Sequence, residues 1–209
     1  MDGIYINLKE RIDRKTHFES NIKSNPFFSK INRMDAILHE NRVIGCAMSH
    51  LCALQKFEHT NEPYISIFED DFCILNQDNF NSFVQEFETI KNSNWKVIVL
   101  TPSGNSINST SEMSSANFKR IINNQTATGY IVKKEMIPIL IKNVTECIQL
   151  LLHGAPPPIA AIDIYWKRLQ PEYPFYYYSK IFAGQLPGWS SIENRLVNYN
   201  LRFIQQIIY

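Results

Sequence analysis

Three consecutive carboxylates, Glu69, Asp70 and Asp71, follow directly on the apolar run 64–68. That run, YISIF, is β-branched and aromatic, is introduced by Pro63 and stops abruptly at the acids, so it reads as a strand. Adjacent carboxylates repel one another unless something positive sits among them. A hard divalent cation answers that need, because Mg2+ or Mn2+ prefers carboxylate and water oxygens and shares its shell with substrate phosphates. Alternation along an extended chain sends Glu69 and Asp71 to one side and Asp70 to the other. The metal then belongs on Asp71, with Glu69 or Asp70 helping to hold it. A solvated acidic turn is the competing reading.

Asp163 is a carboxyl of a different kind. It follows the proline run 156–158 and stands among Ile159, Ala160, Ala161, Ile162 and Ile164. Apolar surroundings raise a carboxyl pKa toward the range of a general base. The alternative is a cap on a short helix carrying Tyr165, Trp166 and Leu169. Arg11 and Arg14, just past the first apolar run, have the fork geometry for charge-assisted bonds to a diphosphate, or are solvated helix residues. Gly45 is expected to open a helix whose free N–H groups favour an anion, with His50 one turn further on. Cys46 and His50 share a helix face, but Cys52 points elsewhere and no fourth ligand is evident, so zinc is set aside. His153 is a further ligand candidate that no neighbouring residue secures. Of Trp166, Trp189 and the tyrosines 176–178, at most one is assigned to stacking on a bound ring.

Elements that position these residues can be read from the apolar spacing. Residues 4–8 form a buried strand, and 11–23 a helix with Ile12, Phe18 and Ile22 inward, stopped at Asn25-Pro26. A strand over 30–34, a helix over 43–58, a helix around Phe80, Val84, Phe87 and Ile90, and a strand over 95–100 complete an alternating pattern. That alternation predicts an α/β fold with a largely parallel sheet in the first half. Residues 103–117 are polar and of low complexity, which predicts a flexible loop. Beyond it the pattern becomes mixed α+β. A hairpin is expected over 118–122 and 129–132, a helix over 133–152 disturbed at Pro138, and a strand over 175–179. A closing helix over 192–208 would carry Ile192, Leu196, Tyr199, Phe203 and Ile207 on one face.

The chain's 209 residues suit a single domain with its own core. Lys+Arg 21 against Asp+Glu 20 leaves a net charge of +1, which argues against a nucleic-acid or polybasic membrane binder. No apolar run at the N-terminus resembles a signal peptide, and none elsewhere is long enough to span a membrane. Cysteines 46, 52, 73 and 147 form no framework and read as reduced thiols, so a cytoplasmic setting is expected. Neither a P-loop nor a dinucleotide-binding glycine signature occurs. A glycoside hydrolase needs two carboxylates flanking a sugar bond, and Asp71 with Asp163 could be cast that way, but it has no use for a clustered acidic triplet.

Five blocks, in order, carry a resemblance over nearly the whole chain. They are IYINLKERIDRK (4–15), RVIGCAMSHLCAL (42–54), ISIFEDDF (65–72), TATGYIVKK (126–134), and AIDIYW (161–166) paired with GQLPGWSSI (184–192). Together they resemble glycosyltransferase family 25, the lipooligosaccharide and collagen-type sugar transferases. The resemblance implies a GT-A-like fold, a UDP-sugar donor (galactose or glucose), Mn2+ or Mg2+, and inversion at the anomeric carbon. The acceptor would be a hydroxyl of a glycan or a hydroxylysine. Residues 1–100 would form the nucleotide-sugar half and 118–209 the acceptor half. On the matching positions it implies donor binding by Asn7, Arg11, Arg14, Gly45, His50, Glu69, Asp70, Thr128, Gly129 and Gln185. Glu69 and Asp71 would hold the metal, and Asp163, with Asp71, would act in catalysis. Many relatives carry an acid in the last block where this chain has Ser190-Ser191-Ile192. A nucleotide-sugar-binding protein without turnover is the alternative.

Overall fold

The structure, a computed structural model, describes residues 1–105, 113, 115–190 and 195–200. From the N-terminus, β1 (Asp2–Asn7) leads to α1 (Ile12–Phe18), which runs into a π-helical turn at Glu19–Lys23. Asn25 ends that segment by accepting from the Phe27 N–H. β2 (Lys30–Asp35) and α2 (Arg42–Glu58) follow, with the Asn41 side chain capping α2 through the Val43 N–H. β3 (Tyr64–Glu69), β4 (Phe72–Ile74), α3 (Gln77–Ile90), β5 (Val97–Val99) and β6 (Ser103–Asn105) complete the first half. The second half contains β7 (Phe118–Ile121), β8 (Asn123–Gln125), β9 (Gly129–Lys133), α4 (Ile137–Leu152), α5 (Pro157–Ala160) and α6 (Ile162–Tyr165). It ends with β10 (Phe175–Tyr178), β11 (Ala183–Gln185), β12 (Gly188–Ser190) and β13 (Arg195–Val197).

A seven-stranded sheet in the order β2-β1-β3-β9-β5-β10-β7 forms the centre. β1 runs parallel to β2 and β3, and β5 parallel to β10. β9 is inserted antiparallel between β3 and β5, and β7 closes one edge antiparallel to β10. The sheet is therefore mixed, which corrects the largely parallel sheet expected from the alternation. The first-half strands do share one direction, so their carboxyl ends lie on one side.

Side-chain alternation builds two different cores on the two faces. Ile4 and Ile6, Ile65 and Ile67, Val97 and Val99, and Tyr130 and Val132 face an aliphatic cluster completed by α2, α4, α5 and α6. Strand neighbours on the opposite face, Tyr5, Phe68, Ile98 and Ile131, meet an aromatic cluster completed by Phe18 of α1 and by Phe80, Phe83 and Phe87 of α3. Phe83 sits at its centre, with ring centroids 4.7 Å from Phe182 and 5.6 Å from Tyr178.

Several expectations are corrected. The first helix begins at Ile12, whose side chain is exposed, so only Phe18 and Ile22 form its buried face. Segments 118–121 and 129–133 do not pair with each other; each finds partners distant in sequence. Pro138 does not disturb a helix but starts one, where its missing N–H costs nothing. The described part of the polar stretch is built into the fold. Ser103–Asn105 pairs with β8, Met113 is buried in the aromatic cluster, and Asn117 donates to Glu86 at 2.7 Å. Its residues 106–112 and 114 lie outside the described residues. Within the expected final helix, Arg195–Val197 is a strand paired with β12; 191–194 and 201–209 lie outside the described residues.

Replacing Phe83 with Ala should lower unfolding stability by about 3–5 kcal/mol, because the ring is fully buried among aromatics that cannot collapse onto the gap. Chemical denaturation checks this.

Candidate active site

The strands β1 and β3 end at the mouth of a cavity of about 360 Å³, between the first turns of α2, the 126–128 turn and α6. Every donor, metal or catalytic residue that the family resemblance implied lines it except Asn7 and Gly129.

The acidic triplet does not keep strand alternation. Glu69 is the last residue of β3, and Asp70 and Asp71 turn out of the strand into β4. Arg14 Nη1 consequently reaches both, Asp70 Oδ1 at 2.9 Å and Asp71 Oδ2 at 3.1 Å, while Nη2 donates to the Trp189 carbonyl at 3.1 Å. Asp71 Oδ1 is buried and has no hydrogen-bond partner among the described residues. Burial, then repulsion from Glu69, pushes the Asp71 carboxyl up to about 7 against the pull of Arg14. Burial disfavours the charged Arg14 guanidinium, yet the charges of Asp71 and Asp70 outweigh it and hold its pKa above the usual value.

Glu69 points the other way. Its Oε1 lies 3.3 Å from His50 Nε2 and 3.5 Å from Cys46 Sγ. Burial alone would raise its pKa, but the bonds from His50 and Cys46 and the Arg14 charge hold it below the usual value. His50 is fully buried, with Nδ1 3.1 Å from the Tyr130 hydroxyl. Cys46, His50 and Glu69 form a candidate metal-binding group, their ligand atoms all within 4.8 Å of one another.

Asn7 works from beneath the cavity. Buried, it donates from Nδ2 to Asp70 Oδ2 at 2.7 Å and to the Arg11 carbonyl at 3.1 Å, and it accepts from Arg33 Nε at 2.9 Å. Gly45 lies inside α2 rather than opening it, because Asn41 holds the cap. A Cβ at Gly45 would stand 2.7 Å from the Ile37 carbonyl oxygen, so this glycine lets the 36–39 segment approach the helix. Ser49 secures that approach by accepting from the Ile37 N–H at 2.8 Å and donating to the Gly45 carbonyl at 2.7 Å. Gly129 is likewise a packing glycine, since a Cβ there would meet the Phe72 ring at 2.7 Å.

Asp163 is not a cap. Ala161 occupies the N-cap of α6, and Asp163 sits within its first turn on the cavity wall. Its carboxyl is raised by burial, against the bond its Oδ2 accepts from the Thr126 N–H at 3.1 Å. Thr126 holds φ +89, a left-handed conformation that a β-branched residue rarely adopts, and its hydroxyl donates to the Thr101 carbonyl. Arg11 lines the cavity while paired with Asp13 at 2.8 Å. Gln185 and Thr128 reach the wall from β11 and from the residue before β9. His153 stands outside, exposed at the end of α4 with Nδ1 2.7 Å from the Gln149 carbonyl. Trp166, Tyr176 and Tyr178 are buried in the cores, whereas Trp189 is 49% exposed. Ser190 lines the cavity; Ser191 and Ile192 lie outside the described residues.

Sequence reasoning missed Arg42, which lines the cavity together with Ser49 and Thr126. Arg42 and Ser49 lie in the block containing Gly45 and His50, which was the available signal. Nothing local marks the backbone of Thr126.

The family model for glycosyltransferase family 25 (LPS biosynthesis protein) matches residues 40–153. No curated protein matches the chain. Among solved structures, a glycosyltransferase involved in glycosylation of the major capsid of PBCV-1 is similar, with 10% identity, 100% of this chain and 98% of that chain covered, and a TM-score of 0.50. A197 from STIV is 12% identical over 94% of this chain and 93% of its own, with a TM-score of 0.49. An apo UDP-glucose pyrophosphorylase is 8% identical over 87% and 73%, with a TM-score of 0.47. At 10% identity the likeness to the capsid glycosyltransferase speaks to the fold alone, a single α/β domain. With more than half of its residues matched by the family model and the acidic strand end opening on the cavity, the chain belongs to glycosyltransferase family 25 and is a glycosyltransferase.

Proposed function

We propose that this protein is a metal-dependent inverting hexosyltransferase, moving galactose or glucose from a UDP-sugar to a hydroxyl of a glycan or hydroxylysine acceptor. The observation that carries the reading is Asp71, a carboxylate of the cavity wall beside two others, whose buried Oδ1 has no hydrogen-bond partner among the described residues. An oxygen donor of that kind fits a hard cation, and Asp71 with Glu69 would hold Mn2+ or Mg2+. Bound there, the ion would act as a Lewis acid toward the departing diphosphate.

The chain's own residues account for the rest. Arg14 lies across Asp70 and Asp71 on the cavity wall, where it and Arg11 would bond diphosphate oxygens. Asn7 fixes the Asp70 carboxylate from below, so that wall is set before any ligand arrives. Asp163 receives the acceptor's proton on its carboxylate as the hydroxyl attacks from the face opposite the leaving group. Burial supports that role by raising its basicity, and the Thr126 N–H fixes its orientation. Donor contacts come mainly from residues 1–100, with Thr128 and Gln185 added from beyond, and Asp163 represents the acceptor half at 118–209. Among the described residues no helix is long and apolar enough to cross a membrane.

Mn2+ and UDP together should stabilise the protein by about 2.7 kcal/mol at ~100 Kd, a rise of roughly 5–10 °C in Tm for a chain of this size. Asp71→Asn should remove the metal-dependent part of that rise; an unchanged rise refutes the assignment. Asp163→Asn should keep the rise while lowering kcat for transfer by roughly 10²–10⁴-fold, measured as UDP release in the presence of acceptor. Arg14→Ala leaves two buried carboxylates without their cation and should cost about 3–5 kcal/mol of stability. Mn2+ should recover more stability in that variant than in the wild type, as thermal unfolding would show.

A further inference from the structure

We infer that Cys46, His50 and Glu69 form a binding site for a borderline divalent metal of the zinc class, centred on α2 and distinct from the hard-cation site at Asp71, with which it shares Glu69. Cys46 and His50 project from one face of α2, one turn apart, and Glu69 meets them from the end of β3. From the sequence this pair lacked a third ligand, because Cys52 lies on a different part of the helix; the sheet brings Glu69 to it instead.

The spacing suits one ion. Zn–N near 2.0–2.1 Å and Zn–S near 2.3 Å put neighbouring donors of a tetrahedral shell roughly 3.3–3.7 Å apart. His50 Nε2 and Cys46 Sγ lie 3.3 and 3.5 Å from the same Glu69 oxygen. Donor softness distinguishes this trio from the acidic turn. A thiolate with an imidazole favours zinc-class ions, whereas Asp71 offers oxygen alone. An orienting partner is also present. Tyr130, buried on β9, holds His50 Nδ1 at 3.1 Å and stacks on its ring at 5.8 Å, directing Nε2 toward Glu69. All three ligands line the cavity, so an ion can enter and a water can take the fourth position. Binding forms the metal–sulfur bond and releases the Cys46 thiol proton to solvent.

Co2+ reports such a site directly. Titrating Co2+ into the full-length reduced protein should give, at one equivalent, a thiolate-to-cobalt charge-transfer band with the intense visible bands of tetrahedral coordination. Zn2+ should bleach both. Cys46→Ser should abolish the charge-transfer band, Tyr130→Phe should weaken Zn2+ binding by roughly 10–100-fold, and Asp71→Asn should leave the band in place. That last variant separates this site from the proposed transfer chemistry, which fails independently if Mn2+ and UDP do not bind. In the wild type, Zn2+ should also protect Cys46 from alkylation mapped by mass spectrometry, a measurement that needs no variant to fold. Absence of the band in the wild type, its survival in Cys46→Ser, its loss in Asp71→Asn, or alkylation of Cys46 unaffected by Zn2+ would each overturn the inference.

Discussion

Two carboxylates and a guanidinium share a largely buried corner at the end of β3, and the rest of the site is arranged around that contact. Asp70 and Asp71 could not be held so close without a cation, and Arg14 supplies one from α1, more than fifty residues earlier in the chain. The charge balance is incomplete. Glu69 adds a third negative group, and one oxygen of Asp71 has no partner among the described residues. A low-dielectric corner with surplus negative charge favours whatever positive group enters it. That bias is independent of the identity of the sugar or the acceptor.

The sheet makes such a corner possible. Its aromatic face packs α1 against β1 and β3, with Tyr5 and Phe18 stacked at 4.3 Å, and so fixes where Arg14 emerges. Its aliphatic face packs α2 and α4, and so fixes where Cys46 and His50 emerge. The strand end between them carries the acids. Two chemically different ligand sets therefore lie on either side of one short turn: oxygen and guanidinium toward α1, sulfur and imidazole toward α2.

β9 ties the second half of the chain to this arrangement. Inserted between β3 and β5, it brings the 126–128 turn beside the acidic strand end, and the Glu69 N–H donates to the Thr128 carbonyl at 2.8 Å. Thr126, in its left-handed conformation, then directs its N–H at Asp163. A strained residue persists only where its surroundings over-determine it, and here both its hydroxyl and its N–H are engaged.

Local pattern made much of this legible. The strand ending at Glu69 was marked by β-branched residues and an abrupt charge, and helix α2 by its apolar stripe; both depend on residues adjacent in sequence. The acids, the arginines, His50 and Asp163 were recognisable as cavity residues because their types carry chemistry and their blocks carry a family resemblance. What the tertiary structure alone decided involves partners far apart. The place of β9, the failed pairing of 118–121 with 129–133, the turn that put Asp70 and Asp71 on one guanidinium, and Glu69 joining Cys46 and His50 all arise from contacts across many residues. Periodicity reports which face of an element is apolar. It says nothing of which distant element covers that face, because that choice is made by packing the whole core at once.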